Sequence, residues 1–224
     1  MSGVLQETLA RLADTSAPAL PAMGLSQFWL PLGWGVVLAG LGVALVRCWP
    51  HHAKAPHGVA AVLLLVMLLP GPWCPAYWLG LAFQLPSLAT VALAGAYVFQ
   101  VLRGAPKPFK PEAAPAFPFM VGLWVALGWA LLLDTFALLP VELYRWGFSP
   151  WAVGVFLVLV LLPWALRGGA VPKNPWTVGA LLAVAGFVVL RLPSGNLWDA
   201  VLDPWLWLAA HAMLLRSAAA RWRG

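Results

Sequence analysis

The chain has 224 residues, of which 62% are hydrophobic and 9% charged, and its formal net charge is +6. A soluble chain usually carries about 45–50% apolar and about 25% charged residues, so one water-facing fold cannot bury this excess and a lipid bilayer is expected to cover much of it. The basic residues lie beside expected helix ends along the whole chain instead of forming one patch, which excludes nucleic acid as a partner and suits anionic headgroups.

Residues 1–27 read as an outer amphipathic or flexible segment. Val4, Leu5, Leu9 and Leu12 fall near helical spacing, as in a helix lying on a membrane surface. Glu7 and Asp14 interrupt the stretch, so it does not read as a secretory signal. The first long apolar segment is Phe28–Val46, with Gly35, Gly40 and Gly42 to permit close helix contact, and it ends at Arg47-Cys48-Trp49-Pro50. A basic loop with His51, His52 and His57 leads to Val59–Leu69. That second segment is short, covering only about 17 Å as a helix, before Pro70-Gly71-Pro72. The third segment, Tyr77–Leu102, contains Pro86 and is expected to kink there.

A loop with five prolines from Pro106 to Pro118 follows. The fourth segment is Phe117–Leu139, the fifth Pro150–Leu166 and the sixth Trp176–Leu190. Ser194-Gly195-Asn196 predicts a tight turn. Leu197–Leu215 is the seventh segment, and 216–224 reads as a basic cytoplasmic tail. Pro-Trp pairs begin at Pro72, Pro150, Pro163, Pro175 and Pro204. Three of them are expected to open helices, because proline suits the first helical position and tryptophan the headgroup level.

Reading every second loop as cytoplasmic collects ten of the thirteen basic residues: Arg47, Lys54, Arg103, Lys107, Lys110, Arg167, Lys173, Arg216, Arg221 and Arg223. Arg11, Arg145 and Arg191 remain on the other side. Positive charge kept on the cytoplasmic side sets orientation. The expected fold is therefore all-α: a single-domain polytopic integral membrane helix bundle over residues 1–224, with about seven transmembrane helices, the N-terminus outside and the C-terminus cytoplasmic. Abundant Ala, Leu, Gly, Pro and Trp with few Asn and Lys point to a GC-rich bacterial genome, hence to a bacterial inner membrane. Cys48 and Cys74 fall on opposite sides in this threading and cannot pair.

Ionisable groups at membrane depth are costly and mark functional candidates. Asp134 is expected about 7–8 Å inside the outer end of the fourth segment. Asp199 and Asp203, four residues apart, would share one face of a continuous helix. Glu142, Tyr144, Arg145, Arg191 and Asn196 belong to the same side, as do Tyr77 and Gln84. Together they form a candidate outer polar cluster suited to a cation, a proton or a polar headgroup. The plainer alternative is structural: Asp203 capping a helix ahead of Pro204, and Asp134 paired with Arg145 or Arg191. On the inner side Cys48, His51, His52, His57 and His211 offer a thiol and imidazoles suited to zinc, copper or haem. Their spacing matches no structural zinc pattern, exposed loop histidines are the favoured reading, and no cofactor is predicted.

The chain has no glycine-rich phosphate loop, no His-Glu-x-x-His and no Gly-x-Ser-x-Gly. Lys54, Lys107, Lys110 and Lys173 all lie in loops, which excludes a retinal-linked pigment. The expected function is that of a non-catalytic subunit or accessory factor packing against other membrane subunits or its own copies. The alternatives are a small transporter or channel using the outer acids, and an intramembrane enzyme acting on lipid or isoprenoid headgroups.

Overall fold

Apolar runs without strand alternation satisfy their own backbone groups most directly as helices. The described residues of this computed structural model, 19–48, 55–105, 117–166 and 175–222, contain helices and turns and no strand. In chain order they are α1 (Met23–Val46), α2 (Ala55–Val66), a 3₁₀ turn (Gly71–Trp73), α3 (Pro75–Phe83), α4 (Leu88–Leu102), α5 (Phe117–Thr135), α6 (Leu143–Trp146), α7 (Pro150–Ala165), α8 (Pro175–Leu190), α9 (Leu197–Val201) and α10 (Pro204–Trp222). The expected surface helix at Val4–Ala13 and the loop residues His51, His52, Lys54, Lys107, Lys110, Arg167 and Lys173 lie outside the described residues.

Three Pro-Trp pairs do open helices, at Pro150, Pro175 and Pro204, while Pro72 lies in the 3₁₀ turn and Pro163 inside α7. Several boundaries differ from expectation. Residues 23–27, assigned to an outer segment, belong to α1. The third segment is not kinked but broken: α3 ends at Phe83, Gln84 takes φ 61°, and α4 starts at Leu88. The seventh is broken too, because Leu202 is extended (φ −141°, ψ 137°) between α9 and α10. Nor do the last residues form a separate tail, since α10 runs on to Trp222.

Helix α4 lies at the centre, packed against α1, α2, α8, α9 and α10. Helix α1 also packs on α2 and α3, α8 on α5, α7 and α9, and α5 on α10. The main core gathers Met120, Val121 and Trp124 of α5, Phe156 and Val160 of α7, and Ala183, Val184 and Phe187 of α8. Helix α1 approaches its neighbours through glycines. A β-carbon at Gly42 would lie 2.5 Å from Leu63 Cδ1 on α2, and one at Gly40 3.2 Å from Ala94 Cβ on α4. Gly35 faces Met67 in the same way. The small residues expected to permit close helix contact do so within the chain.

At one end of the bundle the Arg47 guanidinium donates to the carbonyl of Ala105 (3.4 Å), and a ring nitrogen of His57 bonds the carbonyl of Leu102 (3.1 Å). The other end joins the close of α5, all of α6 and the turn after α8. Among the described residues, Met23–Val46 is the one helix that is both long and apolar enough to cross a membrane. Ala55–Val66, Leu88–Leu102, Phe119–Thr135, Pro150–Ala165 and Pro175–Leu190 are apolar but shorter, below the roughly 20 residues that span a bilayer.

Candidate functional site

The polar residues expected to form one outer cluster separate into two nodes. The first is built around Tyr144 in the single-turn helix α6. Its backbone N–H donates to Asp134 Oδ2 (2.7 Å), its carbonyl accepts from Asn196 Nδ2 (2.8 Å), and its hydroxyl donates to Asp199 Oδ2 (2.8 Å). The Ser194 hydroxyl donates to the same Asp199 oxygen. Asn196, fully buried, caps α9 by accepting from the Trp198 N–H (2.9 Å), and the Trp198 indole donates to the Leu143 carbonyl (2.8 Å). The Leu197 N–H completes the seam by donating to the Gly147 carbonyl (3.0 Å). A β-carbon at Gly147 would collide with Asn196 Oδ1 and the Trp198 ring, so only glycine lets α6 and α9 lie this close.

Burial, and then the hydrogen bond and charge of Asp199, push the Tyr144 phenol well above its ordinary value, because a phenolate there would be poorly hydrated and would face a carboxylate. Burial alone draws Arg191 below its usual value. Arg191 holds φ 57°, its guanidinium sits 5.1 Å from the Phe187 ring centre, and its carbonyl accepts from Gly195 N–H (2.8 Å) in the expected tight turn. Glu142 and Arg145 pair at 3.1 Å with 74% and 83% of their side chains exposed; such surface pairs contribute little.

Asp134 is not five residues inside a helix. α5 ends at Thr135, and Ala137 closes it with φ 53°, its N–H donating to the Asp134 carbonyl (2.8 Å). Asp134 therefore stands in the last turn, where it accepts from the Tyr144 backbone N–H.

The second node is Asp203. Because Leu202 is extended, Asp199 and Asp203 do not share a helix face. Asp203 Oδ1 accepts from the Leu206 N–H (2.8 Å), capping its own helix, while Oδ2 accepts from the Ser87 N–H (3.0 Å) at the start of α4. One carboxylate thus holds two helix starts, each carrying a partial positive charge. Ser87, fully buried, caps α4 from its own side by accepting from Thr90 N–H (3.0 Å).

The remaining members of the expected cluster are Tyr77 on α3 and Gln84 just after its end. Tyr77 packs edge-on to Trp78 at 5.2 Å, and Gln84 contributes its backbone carbonyl to the Trp34 indole (2.9 Å). The neighbouring Pro86 carbonyl accepts from the Trp29 indole (3.2 Å). These two tryptophans of α1 satisfy the carbonyls that the α3–α4 break exposes.

Of the expected inner set, Cys48, His57 and His211 fall among the described residues. No group of three or more His, Cys, Asp or Glu able to hold a metal occurs among the described residues, and His51 and His52 lie outside them. Cys48 donates to the Ala44 carbonyl (3.6 Å). His211 is not near an inner helix end, since α10 continues eleven residues beyond it to Trp222. Its Nε2 accepts from the Trp129 indole (3.1 Å) and its Nδ1 bonds the Trp207 carbonyl (2.9 Å), which places the ring hydrogen on Nδ1 and occupies the lone pair a metal would need.

Sequence reasoning overlooked Ser87, Ser194, Trp29, Trp34 and Trp129 as polar partners. The three tryptophans act across 57, 50 and 82 residues, which no local pattern reports, whereas the Ser87 and Ser194 hydroxyls act locally, within three and five residues. The geometry defines an all-helical bundle whose polar side chains bind loops and helix ends to one another. Comparison with known protein families, with curated proteins and with solved structures finds no match to the chain.

Proposed function

We propose that this chain is a multi-pass protein of a bacterial inner membrane, acting there as a non-catalytic subunit or accessory factor. The observation that carries the reading is that all four carboxylates among the described residues are engaged within the fold. Asp134 and Asp203 hold backbone N–H groups, Asp199 holds two hydroxyls, and Glu142 pairs with Arg145. Each already holds a partner within the chain, as a structural role requires.

Membrane immersion draws support from the outer surfaces of the helices. Leu68, Trp151, Leu166 and Val189 are each at least 75% exposed, and bands of such residues on several helices would associate in water. In this reading α3 with α4, and α9 with α10, make two crossings from broken helices, giving seven crossings with the basic loops inside. Broken helices are tolerated at membrane depth where protein covers the break, as Trp29, Trp34 and Asp203 do here.

Native mass spectrometry after gentle extraction tests the role. A complex with other polypeptides at fixed stoichiometry is the expected result. A lone chain whose Asp134→Asn variant stays folded but loses solute or ion uptake in vesicles would overturn it. Sidedness is tested with single cysteines at positions 54 and 142 in a cysteine-free chain. Position 54 should label only from the cytoplasm and 142 only from outside; the reverse sinks the threading.

A further inference from the structure

Between α1, α3, α4 and α10 runs a cleft of about 600 Å³ that no described side chain fills. Val37, Leu41 and Ala44 of α1 form one wall, and Trp205, Ala209 and Met213 of α10 the other. The Trp205 end is closed by Phe83, whose ring stands edge-on to Trp205 at 5.0 Å. At the opposite end the lining changes character and presents Arg216, an exposed cation. The four described carboxylates are engaged elsewhere in the fold, so none neutralises it.

We infer that this cleft receives one acyl chain of an anionic phospholipid from the cytoplasmic leaflet, with the headgroup phosphate at Arg216. The inference rests on the membrane reading given above. From Trp205 to Arg216 the wall is eleven residues of helix, or about 16 Å, at 1.5 Å per residue. That is about half of a hydrocarbon core roughly 30 Å thick, the depth of a single leaflet. An apolar lining over that depth with a cation at its mouth suits an extended hydrocarbon chain carrying an anionic headgroup. The cation lies at the end that the threading places in the cytoplasmic leaflet, where anionic headgroups concentrate. Arg221 and Arg223 follow in the same stretch of sequence.

The test uses the full chain, first washed on its membranes with alkaline carbonate and then reconstituted in nanodiscs of phosphatidylglycerol and phosphatidylcholine in equal amounts. Native mass spectrometry reads the lipid retained after the disc is stripped. One phosphatidylglycerol per chain is expected, with Arg216→Gln lowering its retention about five-fold. Ala209→Phe and Ala44→Phe, which fill the cleft from opposite walls, should abolish retention. Arg103→Gln, a cation stacked on Phe99 outside the cleft, should leave it unchanged. Equal retention of both lipids, retention unaltered in either phenylalanine variant, or an adduct with the mass of a free fatty acid or a polypeptide would overturn the proposal. Release of the chain by carbonate would instead overturn the membrane reading beneath it.

Discussion

Replacing Asp203 by Asn removes a charge while hardly changing volume, which isolates what the carboxylate does for α4 and α10. One oxygen can still accept from an amide, but the side-chain nitrogen that replaces the other points a donor at either Ser87 N–H or Leu206 N–H, which now bond at 3.0 and 2.8 Å. Losing a hydrogen bond to an ionised acceptor costs about 1.5–3 kcal/mol. The lost interaction with two helix N-termini adds about 0.3–1 kcal/mol each. Asp203 is partly exposed, so water replaces part of what is lost and the lower ends of these ranges apply. The expected destabilisation is about 2 kcal/mol for Asp203→Asn and about 3 kcal/mol for Asp203→Ala. Equilibrium unfolding in mixed micelles, followed by tryptophan fluorescence, measures the difference, and hydrogen exchange at the Ser87 and Leu206 amides locates it. Asp199→Asn is the control, because Asp199 accepts from the Tyr144 and Ser194 hydroxyls, which can reorient toward the new amide. Stability within about 0.5 kcal/mol of the parent in both Asp203 variants, or unchanged exchange at the two amides, would refute the double-cap account.

Two further outcomes follow from the same geometry. Tyr144 has a folded-state pKa above the unfolded value of about 10, so its contribution is complete below pH about 10 and is lost as the pH rises beyond it; an alkaline unfolding series should show that limb in the parent, and Tyr144→Phe should lack it. Gly42→Leu drives a side chain into Leu63 and Val59 and should cost about 1–3 kcal/mol, whereas Gly24→Leu, at a position with nothing within 4 Å of a new β-carbon, should be neutral by the same measurement.

Helix placement was legible because apolar run length announces it. The expected Phe28–Val46, Pro150–Leu166 and Trp176–Leu190 match α1, α7 and α8 apart from a few end residues. The helix ends carried no such signal. A helix commonly closes on a glycine in the left-handed conformation, but here Ala137 and Arg191 take φ 53° and 57°, and neither residue type advertises that role. Because α5 ends at Thr135, four residues before the expected Leu139, Asp134 lies in its last turn. Pro86 did mark a disturbance, yet a full break depends on donors from Trp29 and Trp34, about fifty residues away, and only the tertiary fold supplies them. The four-residue spacing of Asp199 and Asp203 failed for a similar reason. Its premise was an unbroken helix, and Leu202 is extended.

The order of those residues along the chain has a consequence for biogenesis. Trp29 and Trp34 precede the carbonyls they serve by 57 and 50 residues, and a polypeptide emerges from the ribosome N-terminal end first. Helix α1 is thus complete, with both indole donors in place, before the discontinuous segment has been translated. When Gln84 and Pro86 are added, the indoles that their carbonyls bond in the folded chain have already been synthesised. A circular permutant that places α1 last would reverse that sequence and leave the two carbonyls unserved until synthesis ends.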